Sequence, residues 1–152
     1  VFVNTVKVQS AKDMYDAVIE RADSMDIIVK AAAVADYRPK NVSSEKVKKQ
    51  DGNMSIELER TDDILKTLGE RKNSQFICGF SMETENMLEN SRKKLEKKNC
   101  DMIVANNLKQ DGAGFGGNTN IVTLITKDDE VQLEKMTKDE VAEKIFDFIL
   151  SR

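Results

Sequence analysis

The residues of this sequence with chemistry to offer are lysines, aspartates and asparagines set close to short apolar runs. Lys46-Val47-Lys48-Lys49 places three ammonium groups in four residues. Lysine is a mobile point charge, suited to a triphosphate or to an anion developing in a reaction. Strand alternation puts Lys46 and Lys48 on one face, although a solvated charge run would read the same way. Lys94 and Lys98 are four residues apart and share a helix face. Arg92, Lys93 and Lys97 surround them, and cations near a helix C-terminus are also explained by the macrodipole. Asp36 follows the small residues Ala31-Ala32-Ala33-Val34-Ala35. Such a strand end lets a flat ligand approach the backbone, and the carboxylate could accept from ribose hydroxyls or stand near a metal. The alternative is a packed strand end with a surface Asp. Asn106 and Asn107 follow the run DMIVA and could hold a base or an amide, or simply make a turn. Thr84 could cap a helix. Gly112 to Gly117 matches G-x-G-x-x-G, but a strand pattern follows it rather than a helix, so it reads as a flexible loop and not as a dinucleotide fingerprint.

Composition removes other chemistries. The 152 residues contain no His, which excludes Ser-His-Asp and Cys-His catalysis and every His-ligated metal. Two cysteines, Cys78 and Cys100, are too few for a disulfide scaffold or a four-cysteine zinc site, and they read as reduced core residues in a cytoplasmic protein. The net charge of −3 disfavours a general nucleic-acid binder, and no apolar run suits a membrane span. With 39% hydrophobic residues the chain can build a core.

The elements that must position these groups alternate. Residues 1–8 (VFVNTVKV) read as a strand. Ser10 caps a helix over 11–22 with Met14, Ala17, Val18 and Ala22 inward. Residues 26–33 (DIIVKAAA) form a buried strand, residues 55–60 alternate like a strand, and Thr61 caps a helix near 62–71. FICGF (76–80) and DMIVA (101–105) are buried strands flanking a helix over 83–98 whose inner face carries Met87, Leu88 and Leu95. Residues 120–126 and 130–135 make a hairpin. Thr137 caps the final helix, 138–150, with Val141, Ile145, Phe148 and Ile149 inward. Alternating strands and helices predict a Rossmann-like three-layer α/β fold, its sheet mostly parallel with an antiparallel hairpin extension. Ligands in such sheets bind beyond the carboxyl ends of the strands. The stretch between Ala35 and Ser55 is too long for a routine connection and reads as a functional loop, a flap or a small subdomain. The sequence starts inside a strand and without Met, which predicts one domain, 1–152, lacking residues in front.

Taken in order, AAAVADYRP, the Lys-Val-Lys-Lys run ten residues after Asp36, Thr61-Asp62-Asp63-Ile64, GFSMET, the Lys-rich helix, DMIVANN and GFGGNTN resemble the phosphopantothenoylcysteine synthetase (phosphopantothenate–cysteine ligase) domain. In bacteria this is usually the C-terminal half of a bifunctional coenzyme A biosynthesis flavoprotein. The resemblance covers essentially the whole sequence. It implies a ligase joining 4′-phosphopantothenate to cysteine with CTP and Mg²⁺, through an acyl-cytidylate. FMN would belong only to a decarboxylase domain outside this sequence.

The resemblance also implies roles. Ala32, Asp36, Thr61, Asp62, Asp63, Ile64, Phe80, Lys94 and Lys98 would bind the nucleotide, the two lysines through its phosphates. Lys46 would serve the step that consumes the acyl-cytidylate. Lys48 and Asn106 would contact substrate, and the loop through Phe115 and Asn120 matches less distinctive positions. No protein metal ligand is assigned. The family's upstream Gly-rich segment, with its Asn and its Ser-Ser-Gly-Lys stretch, has no counterpart here. The resemblance further implies a homodimer, with residues 39–60 and the late hairpin as contacts, and no nucleic-acid or membrane partner. Two other readings compete on residues alone: a Rossmann-like oxidoreductase or generic nucleotide module, and a non-catalytic interaction domain whose lysines are merely solvated.

Overall fold

The computed structural model describes residues 2–48, 51–83, 86–107 and 117–152. Val1, Lys49, Thr84, Phe115 and residues 112–116 of the Gly-rich loop lie outside them, so the cap expected at Thr84 and the loop expected at 112–116 are not described. Strands β1 (Ile27–Lys30), β4 (Phe76–Glu83), β5 (Met102–Asn107), β7 (Val122–Thr126) and β8 (Glu130–Gln132) form one five-stranded sheet in the order β1-β4-β5-β7-β8. The first three are parallel, and β7 and β8 add the antiparallel hairpin. Helices α1 (Ala11–Ala22), α2 (Ile64–Arg71) and α3 (Met87–Lys97) contribute to the core on one face, and α4 (Lys138–Leu150) covers the other.

Strand alternation divides the core into two layers. Ile77 and Ile103 pack with Leu65, Leu68 and Leu95 of the helices on the first face. Cys78, Met102 and Val104 pack with Val141, Ile145 and Ile149 of α4 on the second. Local chemistry sets the helix starts. Ser10 and Thr137 each close a capping box, with Asp13 and Glu140 reaching back to the cap backbone. Asn99 ends α3 in the left-handed region at φ 49°.

Five expectations need correction. The run 26–33 is a strand only over Ile27–Lys30 and is half-buried there, because β1 lies at the edge of the sheet and among the described residues pairs on one side only. Residues 2–8 form no strand; Phe2, Val3 and Val6 are exposed, because no neighbouring strand among the described residues supplies a ladder. Asp63, not Thr61, caps α2, its carboxylate accepting from the Lys66 N–H at 2.9 Å. Thr61 instead donates its hydroxyl to the Ala35 carbonyl at 2.6 Å. Helix α3 begins at Met87, not Glu83, because β4 pairs with β5 as far as Glu83. Leu88 faces solvent, and Ser91 and Leu95 take the inner positions. Finally, Lys46 and Lys48 stand in irregular backbone, not on a strand.

The long stretch after β1 is an arm. Strands β2 (Tyr37–Pro39) and β3 (Leu58–Arg60) pair antiparallel at its base, separate from the main sheet. Cross-strand pairs Arg38–Glu59 and Lys40–Glu57, each 2.7 Å, reinforce it. Two short strands, β6 (Thr119–Asn120) and β9 (Met136–Thr137), pair beside the start of α4.

Candidate nucleotide and substrate site

Parallel pairing of β1, β4 and β5 brings their carboxyl ends to one edge of the sheet. Two cavities open there and share Lys30, Val34, Asp36 and Lys94. The smaller, about 210 Å³, is lined by Lys30, Asp36, residues 61–65, Lys94 and Lys98. The larger, about 550 Å³, is lined by Ala31–Ala33, Phe80, Ser81, Met82, Asn106, Asn120, Lys138 and the α4 residues Val141, Ala142 and Ile145. Joined through these shared residues, the two are lobes of one site.

Each group has a structural reason for its place. The hydroxyl of Thr61 holds Ala35, and its N–H donates to the Asp36 carbonyl at 3.0 Å. This clamp ties the strand end after β1 to the entry of α2, so Asp36 and residues 61–64 meet at one wall. Lys98 forms an ion pair with Asp63. Burial alone would raise the Asp63 carboxyl, but the Lys98 ammonium and the Lys66 N–H outweigh it and hold the group below the ordinary 3.8. Lys94 donates to the Phe80 carbonyl at 2.9 Å, which anchors a cation across the end of β4. A Ser81–Ser91 hydroxyl contact of 2.7 Å, fully buried, locks β4 against α3.

Most of the residues expected from the sequence therefore converge. Asp36, Thr61, Asp62, Asp63, Ile64, Lys94 and Lys98 meet at the smaller lobe. Ala32, Asp36, Phe80, Lys94 and Asn106 meet at the larger. Asn106 is 7% exposed, and among the described residues its Oδ1 has no hydrogen-bond partner. A buried acceptor without a partner carries a desolvation cost that a donor on a ligand would relieve. Lys46 and Lys48 are different: both are exposed on the arm and line neither lobe.

Sequence reasoning missed two lysines. Lys30, the last residue of β1, lines both lobes, and Lys138, the first residue of α4, lines the larger. A signal for Lys30 was present, since it is a charge set inside the apolar run DIIVKAAA. Burial, with Lys94 close by, lowers the Lys30 ammonium below the ordinary 10.5; Asp63 and Asp36 oppose the shift. Lys138 carried no such signal, because a first-turn lysine on a surface helix is unremarkable.

The lobes hold cations for phosphates, a carboxylate for hydroxyls and small residues beside a sheet edge. Among the described residues no group of three or more His, Cys, Asp or Glu forms a metal cage. That donor set suits a Mg²⁺ carried in on phosphate oxygens, which needs only one or two carboxylates from the protein.

A relative from Bacillus subtilis (strain 168), the coenzyme A biosynthesis bifunctional protein CoaBC, is 55% identical over 123 residues, covering 81% of this chain and 30% of the relative. A protein described as a cysteine/cysteine sulfinic acid decarboxylase, from an unknown prokaryotic organism, is 43% identical over 151 residues, covering 98% of this chain and 42% of its own length. The crystal structure of the C-terminal domain of a CoaBC protein superposes with a TM-score of 0.77 at 48% identity, covering 97% of this chain and 66% of that one. The chain thus spans well under half the length of the curated relatives named here. The pattern of the DNA/pantothenate metabolism flavoprotein C-terminal domain matches residues 1–152, and the chain belongs to that family.

Proposed function

We propose that this chain carries the nucleotide site of a phosphopantothenate–cysteine ligase of coenzyme A biosynthesis, which uses CTP and passes through an acyl-cytidylate. The observation that carries the reading is the gathering of Asp36, residues 61–64, Lys94 and Lys98 around one cavity at the carboxyl ends of the parallel strands. The family membership and the cation-rich, His-free site support the same conclusion.

In this reading the smaller lobe takes the nucleotide. Asp36 accepts from the ribose hydroxyls, and Lys94 and Lys98 meet the phosphates. Lys98 exchanges its Asp63 partner for a phosphate oxygen. Bound Mg²⁺ would neutralise charge on the polyphosphate, with Asp36 and Asp62 the carboxylates at hand. The larger lobe takes the pantothenate portion. Asn106 there accepts from an amide N–H, which satisfies its orphaned oxygen. The pantothenate carboxylate attacks the α-phosphorus, and the bond to the bridging oxygen breaks as pyrophosphate leaves. The cysteine amine then attacks the acyl carbon and CMP departs. Charge develops on phosphate oxygens throughout, where preorganised cations are most effective.

Lys46 and Lys48 act from the arm, which would have to fold over the site for the second step. The arm also exposes Tyr37, Val42, Val47, Met54, Ile56 and Leu58. A patch of that kind fits a contact with a second copy, so we take the working enzyme to be a homodimer. We place it in the cytoplasm; no helix among the described residues is long and apolar enough to cross a membrane. FMN has no place in this chain's chemistry.

The test is calorimetric titration with CTP and then ATP in the presence of Mg²⁺. Tight CTP binding, weaker ATP binding and loss of both in Lys98→Ala are expected. Preference for a nicotinamide dinucleotide, or CTP affinity unmoved by Lys98→Ala, would overturn the assignment.

A further inference from the structure

We propose that Lys30 is the cation at which the two anionic reactants meet: standing where the lobes join, its ammonium group neutralises the attacking carboxylate beside the α-phosphate. The inference rests on the ligase reading and adds to it a catalytic residue.

The three lysines at the junction are not equivalent. Lys98 is engaged by Asp63, and Lys94 is tethered to the Phe80 carbonyl. Among the described residues, the Lys30 ammonium group makes no hydrogen bond or ion pair. It is nevertheless half-buried. A cation withdrawn from water without a direct partner is unfavourable, and that arrangement is typical of a site prepared for an anion.

Its position suits one task. Lys30 lines both lobes, as among the described residues only Val34, Asp36 and Lys94 also do. It lies on the sheet, in register with Gly79 of β4. Residues paired across a parallel ladder share a face, so Lys30 neighbours a residue with no side chain. The charged groups around it are Asp36, Asp63, Lys94 and Lys98. Two carry negative charge, but Asp63 is committed to Lys98, which leaves a net positive junction.

The step itself is balanced without Lys30 exchanging a proton. A carboxylate oxygen forms a bond to the α-phosphorus, the bond from that phosphorus to the bridging oxygen breaks, and its electron pair leaves on pyrophosphate. The obstacle is repulsion between a carboxylate and a polyphosphate. A fixed ammonium group between them lowers it, and removing one such preorganised group typically costs on the order of 10²-fold in rate.

The test uses the full-length protein and two readouts: CTP affinity by calorimetry, and pyrophosphate release with 4′-phosphopantothenate and no cysteine. Lys30→Met should lower the rate constant for pyrophosphate release by roughly 10²-fold and change CTP affinity by no more than about fivefold. Lys30→Arg should restore most of the rate. The pH profile supplies a measurement that a merely structural role would not move. The unmodified protein should lose rate toward alkaline pH below the ordinary lysine value of 10.5, and Lys30→Arg should remove that limb. If Lys30→Met releases pyrophosphate normally, or loses rate only through weaker CTP binding, the proposal is overturned. The ligase reading then still stands if Lys98→Ala abolishes CTP binding. If the unmodified protein neither binds CTP nor releases pyrophosphate, both fail. Should Lys30→Met not fold, an alkaline limb identical in the unmodified protein and in Lys30→Arg overturns the proposal.

Discussion

Replacing Gly69 by alanine should weaken both the fold and the proposed nucleotide site, although helix propensity alone argues the opposite. Gly69 is buried in α2, and a Cβ added there would lie 1.8 Å from the Lys98 carbonyl oxygen and 2.8 Å from its carbon. Both atoms are backbone, so no side chain can swing aside. Helix α2 and the 98–99 turn must separate by about 1 Å or more, at an overpacking cost of roughly 1–3 kcal/mol. The Asn99 Nδ2 bond to the Gly69 carbonyl, 2.9 Å, is strained or lost in the process, for about 1 kcal/mol more. Against this, Gly to Ala in a helix gains about 1 kcal/mol. The net loss is about 2 kcal/mol, and at about 2–4 °C per kcal/mol for a chain of this size the unfolding midpoint should fall by about 4–8 °C. Because the displaced carbonyl belongs to Lys98, CTP affinity should fall with it. Thermal unfolding followed by circular dichroism, paired with CTP titration of the folded variant, reads both effects. An unchanged or higher midpoint with unchanged affinity would refute the reasoning, since it would mean propensity outweighs the contact.

Other outcomes follow from named contacts. Thr137→Ala removes a hydroxyl that accepts from the Glu140 N–H and should cost about 1 kcal/mol of stability, visible in a urea titration. The carboxyls of Asp13 and Glu140, which accept from the backbone N–H groups of Ser10 and Thr137, and of Asp63, which accepts from Lys98, lie below their ordinary values of 3.8 and 4.5. Their stabilisation is complete above those values and is lost as pH falls through the depressed ones, so midpoints should hold near neutrality and drop below about pH 4; a midpoint flat down to pH 2 would contradict this. Burial pushes the Cys78 thiol up to about 12 and the Cys100 thiol up to about 11. Iodoacetamide at pH 8 should therefore label neither in the folded protein and both in denaturant, and rapid labelling of the native chain would show a more open core than the one described.

Much of the architecture was legible because its causes are local. Ser10 and Thr137 announce their helices through capping residues three positions from an acidic partner. The runs FICGF and DMIVA announce buried parallel strands through continuous apolar character. The expectation failed where a neighbour far along the chain decides. The β-branched residues at 2–8 have strand propensity, but no partner strand among the described residues satisfies their backbone. Thr61 and Asp63 are both good capping types two residues apart. The choice between them depends on Ala35, which claims the Thr61 hydroxyl, and on Lys98, which holds Asp63 in place.

The site divides in the same way. Residue types and spacing alone singled out Asp36 and the Lys94–Lys98 pair, whereas residues 61–64 were marked only by the family resemblance; the structure gathers all of them around one cavity. By itself the sequence determined the residue types, the caps of α1 and α4 and most of the alternation of strands and helices, all of which depend on neighbours within a few positions. Only the tertiary structure decided that Lys98 would pair with Asp63, that the Asn106 Oδ1 would be buried without a partner among the described residues, and that Lys30 would stand between two lobes. Those outcomes depend on groups brought together from β1, β4, β5, α2 and α3, and no spacing along the chain encodes such distances.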